Sequence, residues 1–302
     1  MNINKIAILG AGAVGASMVH QILSFGTSDS LSIIADGVRA GRYRRDGFRV
    51  NGETIRPDIV ESGAFHLILV ATKSYNLENA LPLLDQCVSE DTLVMSLLNG
   101  IISETVLGDR YGHDRVIPAM ILGIDALRED GEISYMNRGV IHYGRNPLAE
   151  DQQEKLSHLT DWFSRSGLGY KFSDEITSTL WRKFMINVGM NQTSAVLGAA
   201  YGRYQKDPET LEMMRQAMAE VVELSRLEGT GLKKSDIDNW IEILKTLDPE
   251  GKTSMLQDVE AGRRTEVEIF AGTVITLAAR HGLEVPVNLN LQNEIIRIGN
   301  KQ

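Results

Sequence analysis

The chain has 302 residues, 43% hydrophobic and 24% charged, which is ordinary globular composition and excludes a disordered or fibrous chain. Lysine and arginine number 31 against 40 acids, and a net charge of −9 disfavours a partner held through a nucleic-acid backbone or an acidic membrane surface. The single cysteine, Cys87, excludes a disulfide within the chain, and no apolar run approaches the ~18 residues of a spanning helix.

Lys5–Gly10 reads as a short apolar strand and Val14–Leu23 as a helix. Leu31–Asp36, His66–Thr72 and Thr92–Leu98 are further strands, with a helix over Leu77–Cys87 between the last two. Apolar strands alternating with helices imply a parallel sheet covered on both faces. Gly47–Ile55 is a hairpin turning at Asn51 and Gly52. Val116–Gly144 is again strand-rich, with a polar turn at Asp130 and Gly131. A helix over Ala149–Arg165 and a strand at Tyr170–Phe172 close this half.

From Ser173 onward every pattern is helical. One helix is capped by Ser173 or Asp174 and runs past Leu197. Others fit Pro208–Glu228, Lys234–Leu247, Ser254–Gly262, Glu266–His281 and Leu289–Ile298. The expected fold is a Rossmann-type α/β N-terminal domain with a mostly parallel sheet over residues 1–172, followed by an all-α C-terminal domain over residues 173–302. Ile6–Met18 imitates a signal-peptide core, but its glycines have another use, so a cytoplasmic protein without a targeting segment is expected.

That use is the run Gly10-Ala11-Gly12-Ala13-Val14-Gly15, which comes after the first strand and opens the first helix. Gly10 permits the tight turn, Gly12 lets the backbone approach a pyrophosphate, and Gly15 lets the helix pack closely. Backbone N–H groups at the helix start then meet the anion. Open parallel sheets bind ligands at the carboxyl ends of their strands, which selects Asp36, Lys73 and Asn99.

In the second half, Lys183, Asn187 and Asn191 lie four apart in a helix that is otherwise apolar on nearly every side. They form one drifting stripe over two turns, ~12 Å long, and burial of unpaired polar groups is costly enough that the stripe must face polar partners or a wet cleft. Ser254 and Glu266 are twelve apart, ~18 Å in a straight helix. Gly262 can end that helix, however, and Thr265-Glu266-Val267-Glu268 is a capping box that starts another, which would bring the two together.

Other chemistries fall away. The histidines show no i, i+4 pair for zinc, so no metal site is expected. Gly251-Lys252-Thr253 imitates the end of a phosphate loop, but Thr246 stands where the upstream glycine belongs. Cys87 has no nearby base.

Taken together, the glycine run, Ala71-Thr72-Lys73-Ser74, Leu98-Asn99-Gly100, the lysine–asparagine stripe, the block from Ser254 to Glu266, and Glu284-Val285-Pro286-Val287-Asn288 resemble the ketopantoate reductase (2-dehydropantoate 2-reductase) family over essentially the whole chain. The resemblance implies an oxidoreductase that reduces ketopantoate to pantoate with NAD(P)H, as in pantothenate biosynthesis, in a cleft between the two domains. It implies that Lys183 is the general acid, that Glu266 hydrogen-bonds the substrate, and that Ser254 meets its carboxylate end. Asn187 and Asn191 would orient lysine and substrate, and Asn99 would lie near the nicotinamide.

Two positions depart from the family. Gly251 stands where an asparagine is frequent, and Asp36 where a basic residue is frequent. Asp36 lies where an acid accepts from an adenosine ribose, which favours NAD(H). Arg39, Arg42, Arg44 and Arg45 could instead clamp a 2′-phosphate, and with the family's leaning they put NADP(H) ahead. The expected partner is a small-molecule 2-oxoacid, with no nucleic acid and no membrane, and a homodimer is left open. Two further readings stay open: an NAD-dependent D-2-hydroxyacid dehydrogenase acting on another branched 2-oxoacid, and a non-catalytic nucleotide sensor, which would have no need of Lys183.

Overall fold

Lys5–Leu9 forms β1, and its alternate residues enter two separate cores: Ile6 and Ile8 one, Ala7 and Leu9 the other. That two-sided burial is why the strand reads as a continuous apolar run. The computed structural model describes residues 2–27 and 30–300. It divides into two units, residues 1–99 with 103–176, and residues 100–102 with 177–302.

In the first unit, β1 leads to α1 (Ala13–Phe25), β2 (Ser30–Ile34) and α2 (Gly37–Asp46). A hairpin comes next, of β3 (Phe48–Val50) and β4 (Glu53–Ile55), then β5 (Asp58–Val60) and β6 (Leu67–Val70). After these come α3 (Leu77–Asp85), β7 (Leu93–Ser96), α4 (Ser103–Tyr111) and β8 (Val116–Ile117). The main sheet has six strands in the order β5-β2-β1-β6-β7-β8, every pair parallel. Setting the hairpin aside, this is the order 3-2-1-4-5-6 of a doubly wound dinucleotide-binding sheet. Its direction of winding reverses between β1 and β6.

The remaining strands are β9 (Ala119–Ile124), β10 (Leu127–Glu129), β11 (Glu132–Ser134), β12 (Arg138–Tyr143) and β13 (Gly169–Phe172), with α5 (Gln153–Phe163) before the last. Two tight turns carry positive φ at both central residues, Asn51 (49°) with Gly52 (82°) and Asp130 (47°) with Gly131 (84°). The two hairpins join into a four-stranded sheet, β10-β11-β3-β4, while β13-β12-β9 makes a third sheet. The sequence thus shows the strands other than β5, but not that they divide among three sheets. The helix expected from Ala149 begins only at Gln153, because Gln152 turns back and accepts from the Asn146 N–H at 2.8 Å.

The second unit has no strand among its described residues. It contains α6 (Ile176–Ile186), α7 (Gln192–Leu197), α8 (Tyr201–Lys206), α9 (Pro208–Leu227), α10 (Lys234–Leu244), α11 (Ser254–Glu260), α12 (Thr273–His281) and α13 (Pro286–Gly299). Its own core gathers Phe184, Met185, Val188, Met214, Met218 and Phe270. The single helix expected across Lys183–Leu197 is interrupted. Asn187–Asn191 is a π segment, and so is Glu268–Gly272 ahead of α12. No helix among the described residues is long and apolar enough to cross a membrane.

Candidate functional site

At the carboxyl end of β1 the three glycines have three different reasons. Gly10 has φ +103°, and a Cβ there would lie 2.7 Å from the Thr72 nitrogen and 2.8 Å from the Ala71 oxygen, so the turn seats directly on the end of β6. A Cβ on Gly15 would lie 1.9 Å from the Gly10 oxygen. Gly15 is therefore required by the turn itself more than by packing on the sheet. At Gly12 a Cβ meets nothing within 4 Å. No side chain caps the first turn of α1. This cradle fits a dinucleotide pyrophosphate, with open space at Gly12 and N–H groups of a helix start beside it. Ala11 is buried, while Ala13 and Val14 are half-buried at the same helix start.

Lys73, exposed, comes after β6 on the other side of the point where the sheet reverses. Asn99, half-buried, is the last residue of the chain's first passage through this unit. Asp36 is exposed and is the N-cap residue of α2, yet its carboxylate does not cap that helix. It lines a concavity of about 430 Å³ together with Gly37, Val38, Arg39 and Arg42. Of the four arginines expected to compete with it, two are engaged elsewhere. Arg44 donates to the Ile59 carbonyl at 3.2 Å and to Glu61 at 3.3 Å, and Arg45 pairs with Asp46 at 2.8 Å. Arg39 and Arg42 line the pocket, and Arg44 and Arg45 are not among its lining residues.

In the helical unit Lys183 is half-buried in the last turn of α6, Asn187 opens the π segment and Asn191 closes it, 7% exposed. In an α-helix a four-residue step overshoots one turn by about 40°. The wider π turn reverses that drift between Asn187 and Asn191. The carbonyls inside the segment find side-chain donors, Gln192 Nε2 on Val188 at 2.8 Å and Thr193 Oγ1 on Gly189 at 2.7 Å. A Cβ on Gly189 would strike Met218 Cγ at 2.4 Å, so glycine here lets α9 close on the π segment.

The structure brings Asn191 to Ser254, with Nδ2 donating to the serine Oγ at 3.4 Å. Thr253 fixes the start of α11 by accepting from the Leu256 N–H at 3.2 Å while donating to Ser194 Oγ at 3.1 Å. Gly262, at φ +63°, breaks the chain after α11 as expected. The helix after it begins at Val267, so Glu266 lies just ahead of it and not in its first turn, 7% exposed. Thr265 makes no capping box with Glu268, whose carboxylate accepts from Gln292 Nε2 at 3.3 Å. The two π segments pack on one another.

Sequence reasoning missed Gln192, Asn288 and Tyr201. The signal for the first was present: Asn191, Gln192, Thr193 and Ser194 are four polar residues in succession inside a buried helix, too many for one stripe. Cys87 is buried, and burial pushes its thiol up to about 11.

The first unit is thus a Rossmann-type dinucleotide-binding domain by strand order and by its glycine turn. The family Ketopantoate reductase PanE/ApbA matches residues 6–147, and its C-terminal part matches residues 175–298. The chain belongs to this family of oxidoreductases. It is 28% identical over 295 residues to the 2-dehydropantoate 2-reductase of Pyrococcus horikoshii, covering 95% of each chain. It is 26% identical over 307 residues to that of Halobacterium salinarum, covering 98% of this chain and 99% of the relative. Among solved structures, D-mandelate dehydrogenase in complex with NADH superposes with a TM-score of 0.88 at 24% identity, covering 98% of this chain and 99% of that one. A ketopantoate reductase from Ralstonia eutropha superposes with a TM-score of 0.83, also at 24% identity and with the same coverage. These two likenesses establish the fold.

Proposed function

We propose that this protein reduces a small branched 2-oxoacid, ketopantoate foremost, to the 2-hydroxyacid with a nicotinamide dinucleotide as hydride donor. The observation that carries the reading is the stripe of Lys183, Asn187 and Asn191, maintained through a π segment on an otherwise apolar helix and linked by Asn191 to Ser254. The bound dinucleotide supplies the hydride that reaches the carbonyl carbon. Lys183 stabilises the charge that gathers on the carbonyl oxygen and transfers a proton from Nζ to it, then regains one from water. Asn187 and Asn191 orient lysine and substrate. Ser254 takes the substrate's carboxylate end, and Glu266 accepts from a substrate hydroxyl. Glu266→Ala is expected to raise KM for the 2-oxoacid by about tenfold or more with a smaller change in kcat, as loss of uniform binding does. Steady-state kinetics at saturating cofactor measures the split.

A second substrate reading, another branched or aromatic 2-oxoacid, is favoured by Gly251. A Cβ there would lie 2.8 Å from Tyr201 Cδ2, so an aromatic ring occupies the volume of the asparagine frequent in the family. A panel of 2-oxoacids with NADPH and NADH in parallel tests both readings. Binding of a cofactor without oxidation by any 2-oxoacid would leave only the sensor.

At the ribose end, Arg39 and Arg42 oppose one acid, which supports NADP(H) ahead of NAD(H). Arg39→Ala with Arg42→Ala is expected to lower kcat/KM for NADPH about tenfold or more, or 1.4 kcal/mol, with little change for NADH. A wild-type preference for NADH, joined to a tenfold NADPH gain in Asp36→Ala, would reverse this order and make Asp36 the discriminator.

A further inference from the structure

We infer that Gln192 is the positioning residue of this site, one buried amide that holds both π turns and thereby sets where Lys183 and Glu266 stand. The inference rests on the catalytic reading above. Gln192 is fully buried, and every polar atom of its side chain is engaged. Nε2 donates to the Val188 carbonyl inside the first π segment at 2.8 Å and to Asn288 Oδ1 at 3.0 Å. Oε1 accepts from the Ala271 N–H inside the second π segment at 3.2 Å. The amide cannot flip without setting donor against donor.

Asn288 is oriented in turn. Its Nδ2 donates to the Ala217 carbonyl at 3.2 Å and to Glu220 Oε2 at 2.7 Å. The same carboxylate accepts from the Val287 and Asn288 N–H groups that start α13. The chain Glu220–Asn288–Gln192 therefore ties α9, α13 and both π segments into one oriented network.

A π turn is a one-residue excess in a helix and persists only where its surroundings hold it. Relaxation to α register would rotate the residues before the turn by about 100° against the residues after it. Lys183 precedes the first π turn, and Glu266 precedes the second. Both groups therefore depend on the same glutamine for their placement, although Gln192 is itself fully buried.

Gln192→Met keeps the volume and removes the three bonds. At temperatures well below its melting point it is expected to lose kcat about tenfold or more, with cofactor Kd within about threefold of wild type. Ser225→Ala is the control for stability alone: it removes a buried hydroxyl bonded to Thr230 and to the Leu232 N–H, lowers the melting temperature and leaves kcat unchanged. Gln192→Glu retains an acceptor for Ala271 but sets its other oxygen against two acceptors, so only the protonated acid fits. Its kcat relative to wild type should rise as pH falls, and this carries the decision if the methionine form does not fold. Wild-type kcat in folded Gln192→Met, or a pH-independent ratio in Gln192→Glu, overturns the inference. A wild type that reduces no 2-oxoacid overturns instead the reading on which it rests.

Discussion

Lys183→Ala is expected to lower kcat by about 10²–10⁴ while leaving the cofactor Kd within about threefold, the pattern of a lost general acid. The lysine stands at the end of α6, one turn before Asn187, in a helix whose other faces are filled by Phe184, Met185 and Val188. A half-buried ammonium among such neighbours must have polar surroundings on its own side. The expected loss falls on kcat because charge appears on the carbonyl oxygen only as hydride arrives. Lys183→Arg should recover little, since a guanidinium keeps its charge but does not give up its proton. Steady-state kinetics with a fluorescence titration of the cofactor separates the two quantities. Turnover near wild type in Lys183→Ala would remove the lysine from the mechanism.

How far this site could be read in advance depended on how local its causes are. β1, the glycine turn and α1 are contiguous, and the hairpin turns at Asn51 and Asp130 are set by their own dipeptides, so pattern alone reaches them. α2 is different. Only Ala40 and Tyr43 of Gly37–Asp46 are buried, too few to write an apolar period among its four arginines. The lysine–asparagine stripe was visible because polar residues stand out in an apolar helix. Its π turn was not, since its stabilising bonds run from Gln192 to Asn288 and Ala271, far along the chain. The capping box at Thr265 failed for the same reason: Gln292 reaches Glu268 from α13.

Gly15→Ala is expected to disrupt the nucleotide cradle outright, and Gly12→Ala to leave it standing but closed. The added methyl at Gly15 would sit 1.9 Å from the Gly10 oxygen and 3.0 Å from its carbon, both backbone atoms with no flexible end to yield. Gly10 cannot retreat, because it rests against Ala71 and Thr72 at the end of β6. The clash exceeds ordinary overpacking, which costs about 1–3 kcal/mol, so α1 must shift from the turn. Cofactor affinity should fall about a hundredfold or more, or ~2.7 kcal/mol, together with a lower melting temperature. Gly12 has φ −73° and open space beyond its Cα, so alanine fits there without strain. Its methyl would occupy the approach to the helix N–H groups, and affinity should fall about tenfold with the melting temperature unchanged. Thermal melts and cofactor titrations of the two variants distinguish a turn that holds the fold from one that also holds the pyrophosphate. Wild-type affinity in Gly12→Ala would mean that the dinucleotide does not pass over the start of α1.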